Sequence, residues 1–300
     1  MSREVRGLLW GLIGVASFSL TLPATRSAVP HLGVDFVVVG RAAGAAILAA
    51  AVLALTRQPI PRREDFAALL VIAGGVVIGF PLLTTFAMSH VSASHGSIVV
   101  GLLPLSTAVA AVLLAGERPS RAFWAVSLIG TGILLAFVLD RSGGRFVVAD
   151  LALLGAVAAA AVGYAKGGQL AARLGGWQTI CWALVVATPL VAVAAVLRVE
   201  WPTQAVPPSA WIGFAYVTLV SQFAGFFAWY HGLSLGGIAR VSQTQLLQLF
   251  LTLFASALLL DEAIDAEMLL YAVAIVGVVA VGSRLRVAKP AAAREPTDAT

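Results

Sequence analysis

Residues 106–135 read STAVAAVLLAGERPSRAFWAVSLIGTGILL, and residues 252–280 read TLFASALLLDEAIDAEMLLYAVAIVGVVA. In each stretch a glutamate, Glu117 or Glu262, stands in a short turn between two apolar runs of membrane-spanning length. The two glutamates are 145 residues apart, and several other residues recur at the same offset. A chain built twice from membrane-length segments is the usual layout of a transporter whose binding site lies between its halves.

The composition indicates an integral membrane protein. Hydrophobic residues make up 60% of the chain and charged residues 11%, whereas a soluble domain carries roughly 25% charged residues. The mean hydropathy is +0.97. The single cysteine, Cys181, excludes an intramolecular disulfide. The first apolar run is long enough to span a membrane, so we expect a retained helix rather than a cleaved signal peptide.

The apolar runs predict an all-α membrane protein with ten transmembrane helices. A spanning helix needs about 20 mostly apolar residues, and the connecting segments are too short for a soluble domain. The predicted spans are 8–25, 34–56, 66–88, 94–115, 122–139, 150–172, 177–197, 209–231, 236–260 and 266–285.

The spans divide into two five-helix repeats, at residues 1–139 and 146–285, and we expect residues 286–300 to form a disordered cytoplasmic tail. Five is an odd number, so the second repeat must enter the membrane in the inverted orientation. The loop of Glu117 contains basic residues, while the loop of Glu262 contains none. The two loops are therefore expected on opposite sides of the membrane.

Most of the 19 lysines and arginines fall in loops on the side of the N-terminus. Cytoplasmic loops carry such an excess, so the bias predicts that both termini are cytoplasmic. It also accounts for the sequence pI of about 10.0 without a nucleic-acid partner. We expect a multi-pass protein of a bacterial-type inner membrane, in contact with the lipid bilayer and a small-molecule substrate, as a monomer or homodimer.

The predicted spans, the inverted repeat and the acidic turn before the last helix of each repeat resemble the drug/metabolite transporter superfamily, closest to its EamA-type members. The resemblance covers nearly the whole chain. Within the superfamily the chain is most similar to YddG-type exporters of aromatic and other neutral amino acids. The residues that carry the resemblance are Pro104 in GLLPLSTAVAAVLLAGE, Gly130 and Gly132 in LIGTGILL, and Asp261-Glu262 followed by Gly277.

The resemblance implies outward transport by alternating access around a cavity near the membrane midplane. It implies that helices 1, 3 and 4 and their counterparts 6, 8 and 9 line this cavity. The wider family also transports sugars, purine-like metabolites and cationic toxic compounds, so these solutes stay open as alternatives to amino acids.

A polar stripe on helix 9 is the clearest candidate lining. Gln245, Gln248 and Thr252 are spaced along one helical face, and polar side chains in hydrocarbon must face protein or water. The counterparts of the two glutamines, 145 residues earlier, are Val100 and Leu103. A cavity with one polar and one apolar wall would suit an amphipathic solute. Hydrogen bonding between helices is the alternative.

Aromatic residues are the second group of substrate-binding candidates. Facing a cavity, these rings would stack against an apolar side chain of the solute; ordinary helix packing is the alternative. They are Phe223, Phe227 and Tyr230 on helix 8, Tyr164 on helix 6 and Phe80 on helix 3.

Two charges fall within predicted spans. Arg41 lies roughly 10 Å along helix 2, at 1.5 Å per residue, and Lys166 lies near the cytoplasmic end of helix 6. Each could snorkel to the nearer surface or bind a substrate carboxylate. His90 is a further candidate, with a solvated loop position as the alternative. Pro104, within a span, could place a helix break beside the cavity.

Other function classes find little support. Residues 232–236 fit G-x-S-x-G beside His231, but a hydrolase needs a strand before the serine and a helix after it. Metal-site, P-loop and dinucleotide motifs are missing from the sequence, so we expect no metal and no cofactor. A channel needs rings of charge or carbonyls around a pore. The middle of the predicted spans contains no Asp or Glu, which favours facilitated diffusion over proton coupling.

Overall fold

The computed structural model of the protein describes residues 1–141, 147–261, 263–284 and 287–288. Nearly all of these residues are helical. In chain order the helices are α1 (Arg3–Leu32), α2 (Val34–Leu55), α3 (Arg63–Met88), α4 (Ala93–Ala115), α5 (Arg121–Arg141), α6 (Val148–Leu174), α7 (Gly176–Arg198), α8 (Pro208–Gly236), α9 (Ile238–Leu260) and α10 (Ala266–Arg284).

Eight of the described helices, all except α5 and α10, are long and apolar enough to cross a membrane. The chain is therefore a helical multi-pass membrane protein. α10 contributes a shorter apolar stretch, Ala266–Val278. Spans at 122–139 and 266–285 coincide with helices, but their crossing of the membrane, and so the count of ten, stays a prediction.

Five helices are interrupted, four of them near their middles and α9 in its first third. α1 has a turn at Leu20, and α4 has a turn at residues 101–102. Two others contain π-helical segments, Ala73–Gly79 in α3 and Val217–Ala224 in α8. α9 contains the 3₁₀ segment Gln243–Gln245. Such irregular turns redirect side chains and are frequent at functional sites.

Single glycines join some consecutive helices. Gly33 separates α1 from α2, and Gly175 separates α6 from α7, with φ of +78° and +99°. This left-handed region is open to glycine but strained for residues with a Cβ. Each glycine therefore allows an abrupt reversal of direction between two long helices.

The helices pack in pairs. α1 runs along α8, α3 along α6 and α2 along α7, while α4 contacts both α6 and α9. α10 packs against α5. One large hydrophobic core extends through most of these contacts.

The structure differs from the sequence-based boundaries in several places. α1 runs from Arg3 to Leu32, where 8–25 was predicted, and α8 continues to Gly236, beyond the predicted end at residue 231. In the extended part of α1 the buried Thr25 hydroxyl donates to the carbonyl of Thr21 at 2.7 Å, so its polar group is satisfied within the helix. Strand β2 (Val287–Ala288) pairs antiparallel with β1 (Arg118–Pro119). Val287 and Ala288 were expected in the disordered tail at 286–300. Of that tail, residues 286 and 289–300 lie outside the described residues.

Candidate functional site

A cavity lies about halfway along α1, α3, α6 and α8, beside the first half of α2. Water-sized spheres can occupy about 20 Å³ of it; counting all space outside protein atoms, including space open to solvent, the volume is about 330 Å³. Aromatic rings and polar groups line it together. We call it the arginine cavity, and its lining residues are Phe18, Thr21, Arg41, Val76, Phe80, Tyr164, Ser221, Gln222, Phe226 and Gln248.

Arg41 brings a positive charge into this cavity. The residue is 1% exposed, so in this conformation it does not snorkel to the surface. Its Nη2 donates to Ser221 Oγ at 3.1 Å, and that hydroxyl lies 2.9 Å from Thr21 Oγ1. Within the described chain, Nε and Nη1 have no hydrogen-bond partner, and no carboxylate forms an ion pair with Arg41.

The π segments of α3 and α8 meet at the arginine cavity. Gln222, from the segment in α8, is fully buried and donates through Nε2 to the carbonyl of Val76, in the segment of α3, at 3.2 Å. This bond fixes the orientation of the amide. Its Oε1 has no partner among the described residues, so an acceptor is left free beside the cavity.

A second, adjoining cavity lies between α4 and α9 and shares Gln248 with the first. Water-sized spheres can occupy about 10 Å³ of it; with space open to solvent included, the volume is about 250 Å³. The stripe predicted for α9 and its apolar counterparts in α4, Val100 and Leu103, line the same space. We call it the amide cavity, and its lining residues are Leu22, Ser97, Val100, Gly101, Leu103, Gln245, Gln248, Leu249 and Thr252.

The polar groups of the amide cavity differ in their hydrogen bonding. Thr252 donates to the carbonyl of Ser19 at 2.7 Å, which ties α9 to α1. Both amide atoms of Gln245, and Oε1 of Gln248, have no partner in the described part of the chain. Buried polar groups are normally hydrogen-bonded, so these amides are suited to bind a polar group that enters the cavity.

The aromatic candidates separate into two groups. Phe80 and Tyr164 line the arginine cavity. Phe223 and Phe227 instead pack on each other at 4.8 Å between ring centroids, and the hydroxyl of the fully buried Tyr230 donates to the carbonyl of Gly163 at 3.2 Å. These three residues belong to helix packing rather than to either cavity, because α8 is surrounded by several helices and buries more than one face.

Three further candidates lie outside the cavity linings. His90 is exposed at the end of α3, where Nδ1 lies 2.8 Å from Ser89 Oγ. Lys166 is half-buried on α6. Pro104 is buried at the start of the second part of α4, where its carbonyl accepts a bond from Ser242 Oγ at 3.3 Å. Pro104 thus positions the neighbouring lining residue Leu103.

The sequence analysis did not single out several lining residues. Thr21 follows the turn in α1, and Ser221 and Gln222 lie in the π segment of α8. A signal for the last two was present: a Ser-Gln pair in the middle of an apolar run. Regular helical periodicity could not show which face the pair occupies, since the π turn shifts that face.

At the end of the molecule where α1 begins, α1 and α8 touch through their backbones. A Cβ added to Gly7 would lie 2.5 Å from the nitrogen of Gly236, and one added to Gly232 would lie 2.7 Å from the nitrogen of Gly11. Only glycine permits this approach, as in other membrane helix pairs with small residues four apart. We call these four residues the glycine contact.

A buried carboxylate and an ion pair reinforce the same end. The carboxylate of Glu117, 7% exposed, accepts bonds from the main-chain nitrogens of Ile238 and Ala239, each at 3.2 Å. It therefore caps the first turn of α9. The exposed pair Arg240–Glu4, at 2.6 Å, links α9 to α1. Glu262, the counterpart of Glu117, lies outside the described residues.

The G-x-S-x-G motif serves the glycine contact. Its first and last glycines, Gly232 and Gly236, approach α1, and Ser234 Oγ donates to the main-chain carbonyl of His231 at 2.8 Å. The motif lies within α8, with no strand before the serine. The arrangement lacks the strand–turn–helix geometry of a hydrolase elbow.

The profile of the EamA-like transporter family matches residues 5–138 and 147–283. The chain belongs to this family. The uncharacterized transporter YdeK of Bacillus subtilis (strain 168) is 42% identical to it over 284 residues, which cover 95% of this chain and 99% of that protein. The resemblance to EamA-type transporters is thereby confirmed, and the protein is a membrane transporter. The narrower likeness to YddG-type exporters stays a prediction.

A solved crystal structure of another protein shares the fold of this EamA-like chain. The two are 19% identical and superpose with a TM-score of 0.67, over 93% of this chain and 97% of the other. At that identity the match extends to the fold alone.

Proposed function

We propose that the protein is a secondary transporter that exports neutral amphipathic solutes, in particular neutral and aromatic amino acids, by alternating access. The carrying observation is that rings and partnerless polar atoms share one cavity halfway along the helices. Phe18, Phe80 and Phe226 offer apolar surface, while Arg41 and Gln222 offer hydrogen bonds. Pockets with an apolar lining and few oriented polar groups are typical small-molecule sites.

An inverted repeat of ten spanning helices underlies this proposal. The π segment of α3 recurs in α8, and the interruption of α4 recurs in α9, close to the 145-residue offset. The packing of α1 on α8 matches that of α6 on α3. The family profile also matches twice, once in each half. Transporters with inverted repeats bind their substrate where the two halves meet. Both cavities here are lined by residues from both halves of the chain.

The excess of basic residues in the loops on the side of the N-terminus supports a cytoplasmic location of both termini in the proposed bacterial plasma-membrane protein. In that orientation the glycine contact lies on the cytoplasmic side. Both cavities are narrow, so a solute as large as phenylalanine enters only when the surrounding helices separate. Opening of the glycine contact on one side, alternating with opening on the other, is the motion we assign to the cycle.

Uptake into liposomes that contain purified protein tests the proposal. The solutes are radiolabelled phenylalanine, leucine, glutamate and lysine, with and without a pH gradient. We expect saturable uptake of phenylalanine and leucine, accelerated by unlabelled solute on the opposite side and insensitive to the gradient. Empty liposomes are the control.

The same assay, extended to radiolabelled sugars, purines and cationic toxic compounds, separates the alternatives. Linear flux without acceleration from the opposite side would indicate a channel. Transport of sugars, purines or cationic toxic compounds, with no transport of amino acids, would keep the transporter and overturn the proposed substrate.

A further inference from the structure

We propose that Arg41 anchors a carboxylate of the transported solute, so that the arginine cavity selects carboxylic acids with an apolar body. This inference rests on the proposed transport function and narrows it to one recognition group. The sequence pattern left the role of Arg41 open between snorkelling and binding. Its burial, and the lack of a counter-ion for it among the described residues, favour binding.

A buried guanidinium without an anion is costly. Removing a charge from water costs several kcal/mol unless a partner compensates, and the partner that the structure gives Arg41 is one neutral hydroxyl, that of Ser221. Charges within membrane helices pair with each other or mark the path of a substrate. Among the described residues Arg41 has no ion-pair partner. A position on the path of a substrate therefore accounts for its burial.

The geometry holds the guanidinium ready for a ligand. Ser221 and Thr21, linked to each other at 2.9 Å, fix one end of the group through Nη2. Nε and Nη1 keep their N–H bonds without acceptors beside the cavity. Charge-assisted bonds from arginine to a carboxylate are among the strongest that proteins use, and a low-dielectric site strengthens them further.

The rest of the cavity defines the remainder of the ligand. The rings of Phe18, Phe80 and Phe226 line the same space as Arg41 and suit an apolar body. Oε1 of Gln222 and Oε1 of Gln248 are acceptors without donors, and an α-ammonium group would supply them. A neutral α-amino acid therefore has a group complementary to each of these side chains, while a cationic solute without a carboxylate is repelled by Arg41.

Matched acid and amide pairs test the carboxylate directly. The probes are phenylalanine and phenylalaninamide, leucine and leucinamide, and 3-phenylpropionate and 3-phenylpropionamide, titrated onto full-length protein in lipid nanodiscs. The last pair changes the carboxylate without an ammonium group present. We expect the acid to bind at least about 30-fold more tightly than its amide in one or more pairs, since losing one partner of a buried charge pair has effects of that size.

Variants assign the effect to Arg41. Arg41→Gln should abolish the preference for the acid in every pair. It should leave binding of the uncharged 3-phenylpropionamide unchanged and tighten binding of the cationic phenylalaninamide and leucinamide, which the guanidinium repels. Arg198→Gln is the matched control, because it also removes one positive charge, from an exposed arginine 3.6 Å from Asp35 Oδ2. It should keep the preference. Where Arg41→Gln yields no folded protein, Arg41→Lys and Ser221→Ala replace it, and each should weaken acid binding more than amide binding.

Several results would overturn the inference: no binding of any acid, equal binding of acids and amides, a preference that survives in Arg41→Gln, or equal weakening of acid and amide binding in the replacement variants. Failure of the wider proposal looks different. If acids bind with the expected preference but are not transported, the proposed transport function is wrong and the carboxylate site at Arg41 is supported. If acids and amides are transported equally well, the transport function is supported and the role of Arg41 as a carboxylate anchor is contradicted.

Discussion

The glycine contact and the arginine cavity are two meeting points of α1 and α8, and they are built in opposite ways. At the contact, Gly7 and Gly236 bring the backbones together with no space for a Cβ. At the cavity, about two to three helical turns beyond Gly11 along α1, the same helices stay in contact through the Thr21–Ser221 hydrogen bond but leave space beside Arg41 and Gln222. Arg41 Nε and Nη1 and Gln222 Oε1 have no hydrogen-bond partner there among the described residues.

The difference indicates which region has its packing and hydrogen bonds satisfied by the protein itself in this conformation. The contact is satisfied by the protein itself, since its backbones pack closely and Glu117 caps the adjacent turn of α9. The cavity has hydrogen-bonding capacity that the described residues do not use. We infer that the glycine contact stabilises this conformation. The arginine cavity lowers the stability of the protein because its polar groups are kept for binding, as is common at functional sites.

The largest expected effect comes from filling the contact. Gly7→Val places a branched side chain against the backbone of Gly236 and should lower the free energy of unfolding by about 3 kcal/mol, near the upper range for overpacked sites. The measurement is the denaturation midpoint of the purified protein in detergent.

Gly74→Val is the control for this substitution, because Gly74 is exposed on α3 and a Cβ there meets nothing within 4 Å. It should cost much less. Equal effects of the two variants would show that the close approach of α1 to α8 does not stabilise the protein.

Removal of the cap on α9 should have the next largest effect. Glu117→Ala leaves two buried main-chain N–H groups without an acceptor and should destabilise the protein by about 2 kcal/mol. Glu117→Gln retains an acceptor oxygen and should lie between this variant and the wild type. Hydrogen exchange at the amides of Ile238 and Ala239 measures the cap locally; unchanged protection in Glu117→Ala would contradict its role.

In the amide cavity a change of opposite sign is expected. Gln245→Leu removes two partnerless polar atoms and should leave the unfolding free energy unchanged or raise it by about 1 kcal/mol. Transport should fall at least about tenfold, the factor for one lost hydrogen bond of roughly 1.4 kcal/mol. Liposome uptake and a melting curve of the same preparation check both statements.

Thr252→Val is the contrast in the same cavity. Its hydroxyl is bonded to Ser19, so the variant should lose about 1 kcal/mol of stability. If Gln245→Leu destabilises the protein as much as Thr252→Val does, Gln245 is a structural residue and the distinction between contact and cavity loses one of its supports.

The smallest effect is expected at the surface of the glycine contact. Arg240→Gln breaks the ion pair with Glu4, but both side chains are about half exposed, and water and salt screen such pairs. The loss should stay below about 0.5 kcal/mol and vanish at high ionic strength. A loss above 1 kcal/mol would mean that the pair, rather than the glycines, holds α1 on α9 and α8.

The sequence predicted the parts of the fold that depend on local patterns. Long apolar runs located the helices, and the spacing of Gln245, Gln248 and Thr252 placed them in one lining, because a mostly regular helix keeps such residues on one face. The repeat offset also brought Val100 and Leu103 to the same cavity as these residues.

The parts that could not be predicted depend on departures from regular helix. The π segment at Val217–Ala224 contains no proline to mark it, yet it turns Ser221 and Gln222 toward Arg41. For Tyr230 and Phe227 the difficulty was different: α8 is covered by neighbours on several sides, so an aromatic face does not reveal which neighbour it meets.

A buried arginine with no counter-ion among the described residues places a charge within the membrane, where the transmembrane voltage acts on it. A bound acid without an ammonium group would neutralise that charge, whereas a zwitterionic amino acid adds no net charge and leaves one positive charge in the site. The electrical work on a unit charge is about 2.3 kcal/mol per 100 mV across the full field, and proportionally less for the fraction that the side chain traverses. If Arg41 anchors the solute as proposed, voltage would therefore act differently on the empty and the loaded carrier for a simple carboxylate, and alike on both for a zwitterionic amino acid.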